Sequence, residues 1–164
     1  MKNLIVIRHA KSDWDQPSLA DIDRPLNNRG RQDAPLMGSA LKFRGLEPDL
    51  IVSSPAKRAL ETAGLIAEAV GYDGEAIAVR DGIYMQGTEV LIEAIRSLED
   101  ACSRVYLIGH NPCLTELVAR LAGESIGHVP TCGTVSIEFA VDSWAHVMEG
   151  SGRLAFFDDP KRHR

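Results

Sequence analysis

Three short runs, LIVI (4–7), DLIVSS (49–54) and RVYLIGH (104–110), are apolar on consecutive residues instead of alternate ones. A strand that is apolar on both faces has to be covered on both, as in a layered α/β sheet. The intervals between these runs carry helical spacing. Ala59, Leu60, Ala63, Ala67 and Val70 form one such stripe; Leu91, Ala94, Ile95 and Leu98 form a second. Leu114, Leu117, Val118 and Leu121 form a third. A further helix is expected near 28–44, kinked or shortened by Pro35 and Gly38. TVSIEFAV (134–141) and RLAFFD (153–158) read as two more strands that close the sheet as a hairpin. Short helical crossovers favour parallel pairing of the early strands. The predicted fold is a three-layer α/β/α sandwich with a mostly parallel central sheet.

The length, 164 residues, fits one domain with a continuous core, and residues 1–164 are read as that domain. Its end, KRHR, reads as a solvated tail, so 158–164 is expected to be flexible and basic. The apolar runs fall far short of the roughly 20 residues needed to cross a bilayer. The first of them stops at Arg8, too short for a secretory leader, and the expected location is the cytoplasm. Cys102, Cys113 and Cys132 are odd in number and lack C-x-x-C spacing, which suggests neither a disulfide framework nor a zinc knuckle. A net charge of −5 argues against general nucleic-acid binding. In such an acidic chain, basic residues gathered at one point carry more information than the sum.

Such a gathering is legible at the strand ends. Arg8 and His9 close the first run. The second passes into its helix through Ser54-Pro55, with Arg58 in the first turn, and the third through His110 and Asn111-Pro112. Ser and Asn are favoured helix N-caps and Pro is favoured at the first helical position, so both helices are expected to start at once. Helical side chains lean toward the N-terminus, which aims Arg58 at the strand edge, where open α/β sheets bind ligands. A cation at a helix N-terminus is electrostatically misplaced unless an anion joins it. Glu61, three residues on, is expected to hold Arg58 on one helix face. Two guanidiniums and two imidazoles around one point suit a phosphoryl group, because arginine offers a fixed fork of donors and histidine can attack phosphorus. Lys11 is the least specific of the basic residues.

At these residues the sequence resembles the histidine phosphatase superfamily, in the branch of the phosphoglycerate mutase-like enzymes. The family's R-H-G triplet is matched by Arg8-His9-Ala10, and its S-P-x-x-R-A-x-E-T-A element in full by Ser54 to Ala63. The later G-H-N-P is matched by Gly109 to Pro112, and DRPLNNRG (23–30) is similar to the R-P-L-x-x-x-G segment leading into the first helix. The short chain, the RHAKS form and the lack of a large insertion look most like the SixA-related phosphohistidine phosphatases.

The resemblance implies a phosphoglycerate mutase-like fold and a metal-independent phosphatase without a cofactor. His9 would be the nucleophile, Arg8 and Arg58 would grip phosphate oxygens, and His110 would donate to them. A neutral His9 must present one nitrogen to phosphorus, so the other N–H should be held by a carbonyl or carboxylate. Guanidiniums would supply the charge neutralisation that Mg²⁺ supplies in kinases. His128, His146 and His163 have no ligand spacing and read as ordinary surface or core residues.

Departures from the pattern are informative. Ala10 replaces the usual Gly, which is tolerable only if the backbone there does not need positive φ. Asp15 stands where relatives often carry Asn and is expected to point away from phosphate or to meet a cationic group of the substrate. The general acid is sought between the Arg helix and the second His, where Asp81 is the candidate and Glu89 the alternative. The lack of a strong acid tilts the expectation toward phosphohistidine-bearing protein, since imidazole protonated on its other nitrogen leaves as a neutral molecule, or toward phosphoesters with good leaving groups. The alternatives are a small phosphorylated metabolite as substrate, or a phosphate- or phosphopeptide-binding module without turnover. PTCGTVS (130–136) reads as a plain turn before a strand, with the alternative that it borders the pocket and Thr131 hydrogen-bonds phosphate.

Overall fold

β1 (Lys2–Arg8) runs through the middle of the structure, a computed structural model covering residues 1–164. Its side chains explain that position. Leu4 and Val6 enter one apolar core and Ile5 and Ile7 another, each fully buried. β4 (Arg104–Gly109) repeats the division, with Val105 and Leu107 on one side and Tyr106 and Ile108 on the other. The remaining strands are β2 (Leu50–Ser53), β3 (Ala78–Val79), β5 (Thr134–Phe139) and β6 (Arg153–Asp158), in the order β3-β2-β4-β1-β5-β6. β3, β2, β4 and β1 pair in parallel; β5 and β6 form the antiparallel margin. The expected hairpin therefore exists, and it joins the sheet beside β1.

Helices cover both faces, which gives the three layers. α1 (Asn28–Phe43) and α2 (Lys57–Val70) pack on the Ile5/Ile7 side, while α3 (Thr88–Arg96) and α4 (Cys113–Ala122) pack on the other. α1 is not shortened at Pro35: it runs 16 residues, with Ala34, Met37 and Leu41 buried. Loss of one backbone hydrogen bond is outweighed by burial of that stripe. Gly38 lets the two helices touch, since a Cβ there would lie 2.7 Å from the Ala69 Cβ. No helix is long and apolar enough to cross a membrane.

Two local expectations are corrected. Ser54 and Asn111 do not occupy the N-cap positions, because α2 starts at Lys57 with Ala56 as N-cap and α4 starts at Cys113 with Pro112 as N-cap. Both side chains still serve the turns. Ser54 Oγ accepts from the Ala56 N–H (3.1 Å), and Asn111 Oδ1 accepts from the Thr115 N–H (3.1 Å). The second correction concerns the supposed free tail. Pro160 is buried, His163 Nε2 lies 2.7 Å from Asp158 Oδ2, and Arg164 makes a forked pair with the buried Asp33 carboxylate. The chain end is thus tethered through the buried Asp158 and Asp33 carboxylates, while residues 161–164 remain exposed as expected.

Candidate active site

The parallel pairing of β1, β4 and β2 sets their carboxyl ends side by side. Arg8 is opposite Gly109, the His9 N–H donates to the Gly109 carbonyl (3.0 Å), and the Ser54 N–H donates to that of Ile108 (3.1 Å). Over this edge lies a cleft of about 350 Å³ lined by Arg8, His9, Arg58 and His110 together. Residues 8, 9, 58 and 110 are thus one constellation. The wall also includes Lys11, Ser12, Trp14, Asp21, Arg24, Met85, Asn111 and Thr131.

His9 is 7% exposed, and its Nδ1 lies 2.7 Å from the Ala10 carbonyl. A carbonyl can only accept, so Nδ1 carries the proton and Nε2 keeps its lone pair. Burial, followed by the charges of the other basic groups around it, lowers its pKa from 6.5 to about 3, and the ring is neutral near pH 7. His110 sits 5.2 Å away, ring centre to ring centre. Burial and the Arg58 charge bring it down to about 4. Its Nε2 meets Ser54 Oγ at 2.7 Å and its Nδ1 is buried without a partner.

Ala10 keeps a negative φ and is fully buried. Its N–H donates to Thr62 Oγ1 at 3.0 Å, and the Thr62 hydroxyl donates to the Arg58 carbonyl at 2.7 Å. Glu61 does not hold Arg58, as the spacing had suggested. Its Oε1 accepts from the Leu26 N–H at 2.9 Å, pinning the DRPL segment against α2. The Glu-Thr pair of that helix therefore fastens the two loops that bear the site.

The partner of Arg58 is Asp21, on a short turn at 21–23. Arg58 Nη1 donates to the Asp21 carbonyl (2.7 Å) and Nη2 to its Oδ2 (3.0 Å), which also accepts from the Tyr84 hydroxyl (2.6 Å). Burial alone would raise the Asp21 carboxyl, but Tyr84 and Arg58 outweigh it and hold it at about 2. Arg24 donates to Ser12 Oγ and to Asp21, and its guanidinium carbon lies 3.6 Å above the exposed Trp14 ring. Met85 is exposed at the mouth and adopts positive φ (57°).

Asp81 does not join the site. It is exposed on the 81–83 turn, outside the cleft wall, while Glu89 pairs with Arg120 at 2.6 Å. The carboxylate that does line the cleft is Asp21, which sequence reading missed because it sits in an aperiodic loop. Trp14, Arg24 and Tyr84 were missed too, although Arg24 belongs to the quoted DRPL stretch. Asp15 is exposed and lies away from the cleft wall, whereas Lys11 and Thr131 line it. His128 lies outside the cleft wall, yet its Nε2 is 3.3 Å from Arg8 Nη1.

The buried side-chain polar atoms without a hydrogen bond are Arg8 Nε, Arg24 Nε, Arg58 Nε and His110 Nδ1. All four belong to residues of this cleft. Unpaired buried donors are expensive, and their concentration at one point calls for an acceptor. With four cationic side chains against one carboxylate, the acceptor is an anion. No group of three or more His, Cys, Asp or Glu side chains is placed to hold a metal ion.

Fold and site together define an α/β enzyme that handles an anionic group beside a neutral, tethered histidine. Comparison with known proteins gives that class its family. Residues 4–83 match the model of the histidine phosphatase superfamily (branch 1). An uncharacterised chloroplastic protein of Arabidopsis thaliana is 32% identical over 92% of this chain and 72% of its own length. The structure of the protein histidine phosphatase SixA complexed with tungstate superposes with a TM-score of 0.85 at 21% identity, covering 99% of both chains. A protein assigned as the phosphohistidine phosphatase SixA of Agrobacterium tumefaciens superposes at 0.82 with 28% identity, covering 97% of this chain and 98% of that one. The chain belongs to the histidine phosphatase superfamily, has its phosphoglycerate mutase-like fold, and is a phosphatase.

Proposed function

We propose that the protein hydrolyses phosphohistidine on a protein substrate through a phosphohistidine intermediate of its own at His9. The observation that carries this reading is the His9 tether. With Nδ1–H bonded to the Ala10 carbonyl, Nε2 is the nitrogen that can attack phosphorus. In the first step the Nε2–P bond forms as the bond from phosphorus to the leaving nitrogen breaks. That nitrogen keeps the electron pair. Arg8 and Arg58 hold the equatorial oxygens, and His110 donates from Nδ1 in the tautomer where the Ser54 hydroxyl donates to Nε2. Water then attacks phosphorus, the Nε2–P bond breaks with its electrons returning to the ring, and the water's oxygen and both of its protons leave with the phosphate as H2PO4−.

The leaving group decides the substrate class. Asp21, the carboxylate of the cleft, is ionised and hydrogen-bonded to Arg58 and Tyr84, so it has no proton to give. An alkoxide without a proton donor forfeits about 10²–10⁴-fold in rate. A phosphoimidazole already protonated on its far nitrogen loses nothing, because it departs neutral. This asymmetry favours phosphohistidine over alkyl phosphates. Exposed Trp14 and Met85 at the mouth support aryl phosphates as a second class, since aryl oxides also leave without an acid.

Turnover of a phosphohistidine protein, an aryl phosphate and a panel of alkyl phosphates tests the reading, with His9→Ala alongside. The expected ranking places phosphohistidine first and alkyl esters last, with no turnover by the variant. Faster cleavage of alkyl phosphates would refute the substrate class. Undiminished turnover by His9→Ala would refute the nucleophile.

A further inference from the structure

A second cavity, of about 400 Å³, adjoins the catalytic cleft and shares Lys11 and Thr131 with it. Its other walls are Arg29, Asp33 and Arg164, so no apolar side chain lines it. A polar cavity beside the phosphate cleft, rich in one sign of charge, is out of keeping with a chain of net charge −5.

The charges inside it are not balanced. Asp33 is 3% exposed, and both of its oxygens accept from Arg164, at 3.2 and 3.0 Å. That forked pair is self-contained. Lys11 and Arg29 take part in no ion pair of the protein, and both are exposed. The Thr131 hydroxyl makes no protein hydrogen bond and stands between the two cavities as a free donor. The backbone that carries Lys11 is tethered to the start of α1, because the Lys11 carbonyl accepts from the Asn27 N–H at 3.0 Å.

We propose that Lys11, Arg29 and Thr131, beside the Asp33–Arg164 pair, form a carboxylate-binding subsite. It takes an Asp or Glu side chain of the phosphorylated protein while the phosphoryl group occupies the catalytic cleft. The subsite rests on the phosphohistidine reading for its partner, but its chemistry is independent of the reaction. Two exposed cations steer an acidic surface toward the cleft and fix its register, an effect that salt screens. A small phosphate ester reaches the catalytic cleft without touching Arg29, which lies outside the wall of that cleft.

Arg29→Glu separates the possibilities. A labelled hexaglutamate peptide and its hexaglutamine counterpart are titrated by fluorescence anisotropy at low ionic strength, and turnover is followed on an aryl phosphate and on an acidic phosphohistidine protein. The wild type is expected to bind hexaglutamate and not hexaglutamine. Arg29→Glu weakens hexaglutamate binding about tenfold or more and raises KM on the protein substrate. It leaves kcat, and both parameters on the aryl phosphate, unchanged. Equal hexaglutamate binding by wild type and variant, or no binding by either, overturns the subsite even if the phosphohistidine protein is hydrolysed. Charge-dependent peptide binding without hydrolysis of the phosphohistidine protein keeps the subsite and overturns the substrate reading instead.

Discussion

Asp21 closes around the guanidinium of Arg58 from two directions, with its carbonyl on Nη1 at 2.7 Å and its carboxylate on Nη2 at 3.0 Å. The arginine is thereby aimed, and part of its donor fork is filled by an anion of the protein itself. Tyr84 completes the arrangement from a third element, with its hydroxyl on the same carboxylate oxygen.

Replacing that charge changes how the cleft competes for phosphate. Asp21→Asn keeps a side-chain acceptor for Arg58 and Tyr84 but removes a like charge beside the anion site. Inorganic phosphate is expected to inhibit this variant at about fivefold lower concentration, from Coulomb repulsion at a few ångströms in a partly solvated site. Product-inhibition kinetics measure it, and an unchanged or higher inhibition constant contradicts the role given to Asp21.

Ser54 links the two halves of the site, since its Oγ meets His110 Nε2 at 2.7 Å and accepts from the Ala56 N–H. Ser54→Ala leaves His110 free to change tautomer and removes a buried hydrogen bond. The expected result is a loss of stability of about 1 kcal/mol. It is accompanied by a fall in kcat of about tenfold, with KM little altered. Denaturant unfolding and steady-state kinetics read the two effects separately.

Acid should destabilise the free protein well before its carboxylates are protonated. His9 and His110 titrate at about 3 and about 4 in the folded state, below their ordinary 6.5. Between those values the unfolded chain binds protons that the native state refuses, so the stabilising contribution is complete above pH 6.5 and drains away as pH falls toward 4 and 3. Unfolding midpoints from pH 8 to pH 4 should decline, and the decline should flatten in a His9→Gln, His110→Gln protein. Parallel curves for the two proteins would remove the histidines from that account.

Gly30 is fixed by crowding. A Cβ at that position would fall 2.2 Å from the Lys11 carbonyl oxygen, a backbone atom that cannot swing aside. Gly30→Ala should lower stability by about 1–3 kcal/mol, the usual range for overpacking a filled site. It should also raise KM by displacing the loop that follows His9. An alanine variant with wild-type unfolding midpoint and KM would show that the loop can shift freely.

Much of the site was legible because it is written locally. Consecutive apolar residues identified strands covered on both faces, and turn residues after them located the sheet edge where Arg8, His9, Arg58 and His110 gather. Those inferences need only the nature of each residue and its near neighbours. Ala10 follows from a local backbone demand too, a negative φ that a side chain allows, whereas Gly30 is fixed by its contact with the Lys11 carbonyl.

Other features depend on contacts between residues far apart in sequence. Asp21 meets Arg58 across 37 positions, Ser54 meets His110 across 56, and Arg164 reaches Asp33 across 131. No periodicity marks Asp21 in its loop, and nothing near Arg164 indicates that a buried carboxylate awaits it. Asp81 was the natural acid to expect in its segment, and the path of the 81–83 turn put it in solvent. The sequence by itself determined which residues end the strands, since backbone preference and apolar burial act over a few residues. Which carboxylate faces those residues was decided only by the folded chain, because ion pairs form wherever packing brings opposite charges within reach.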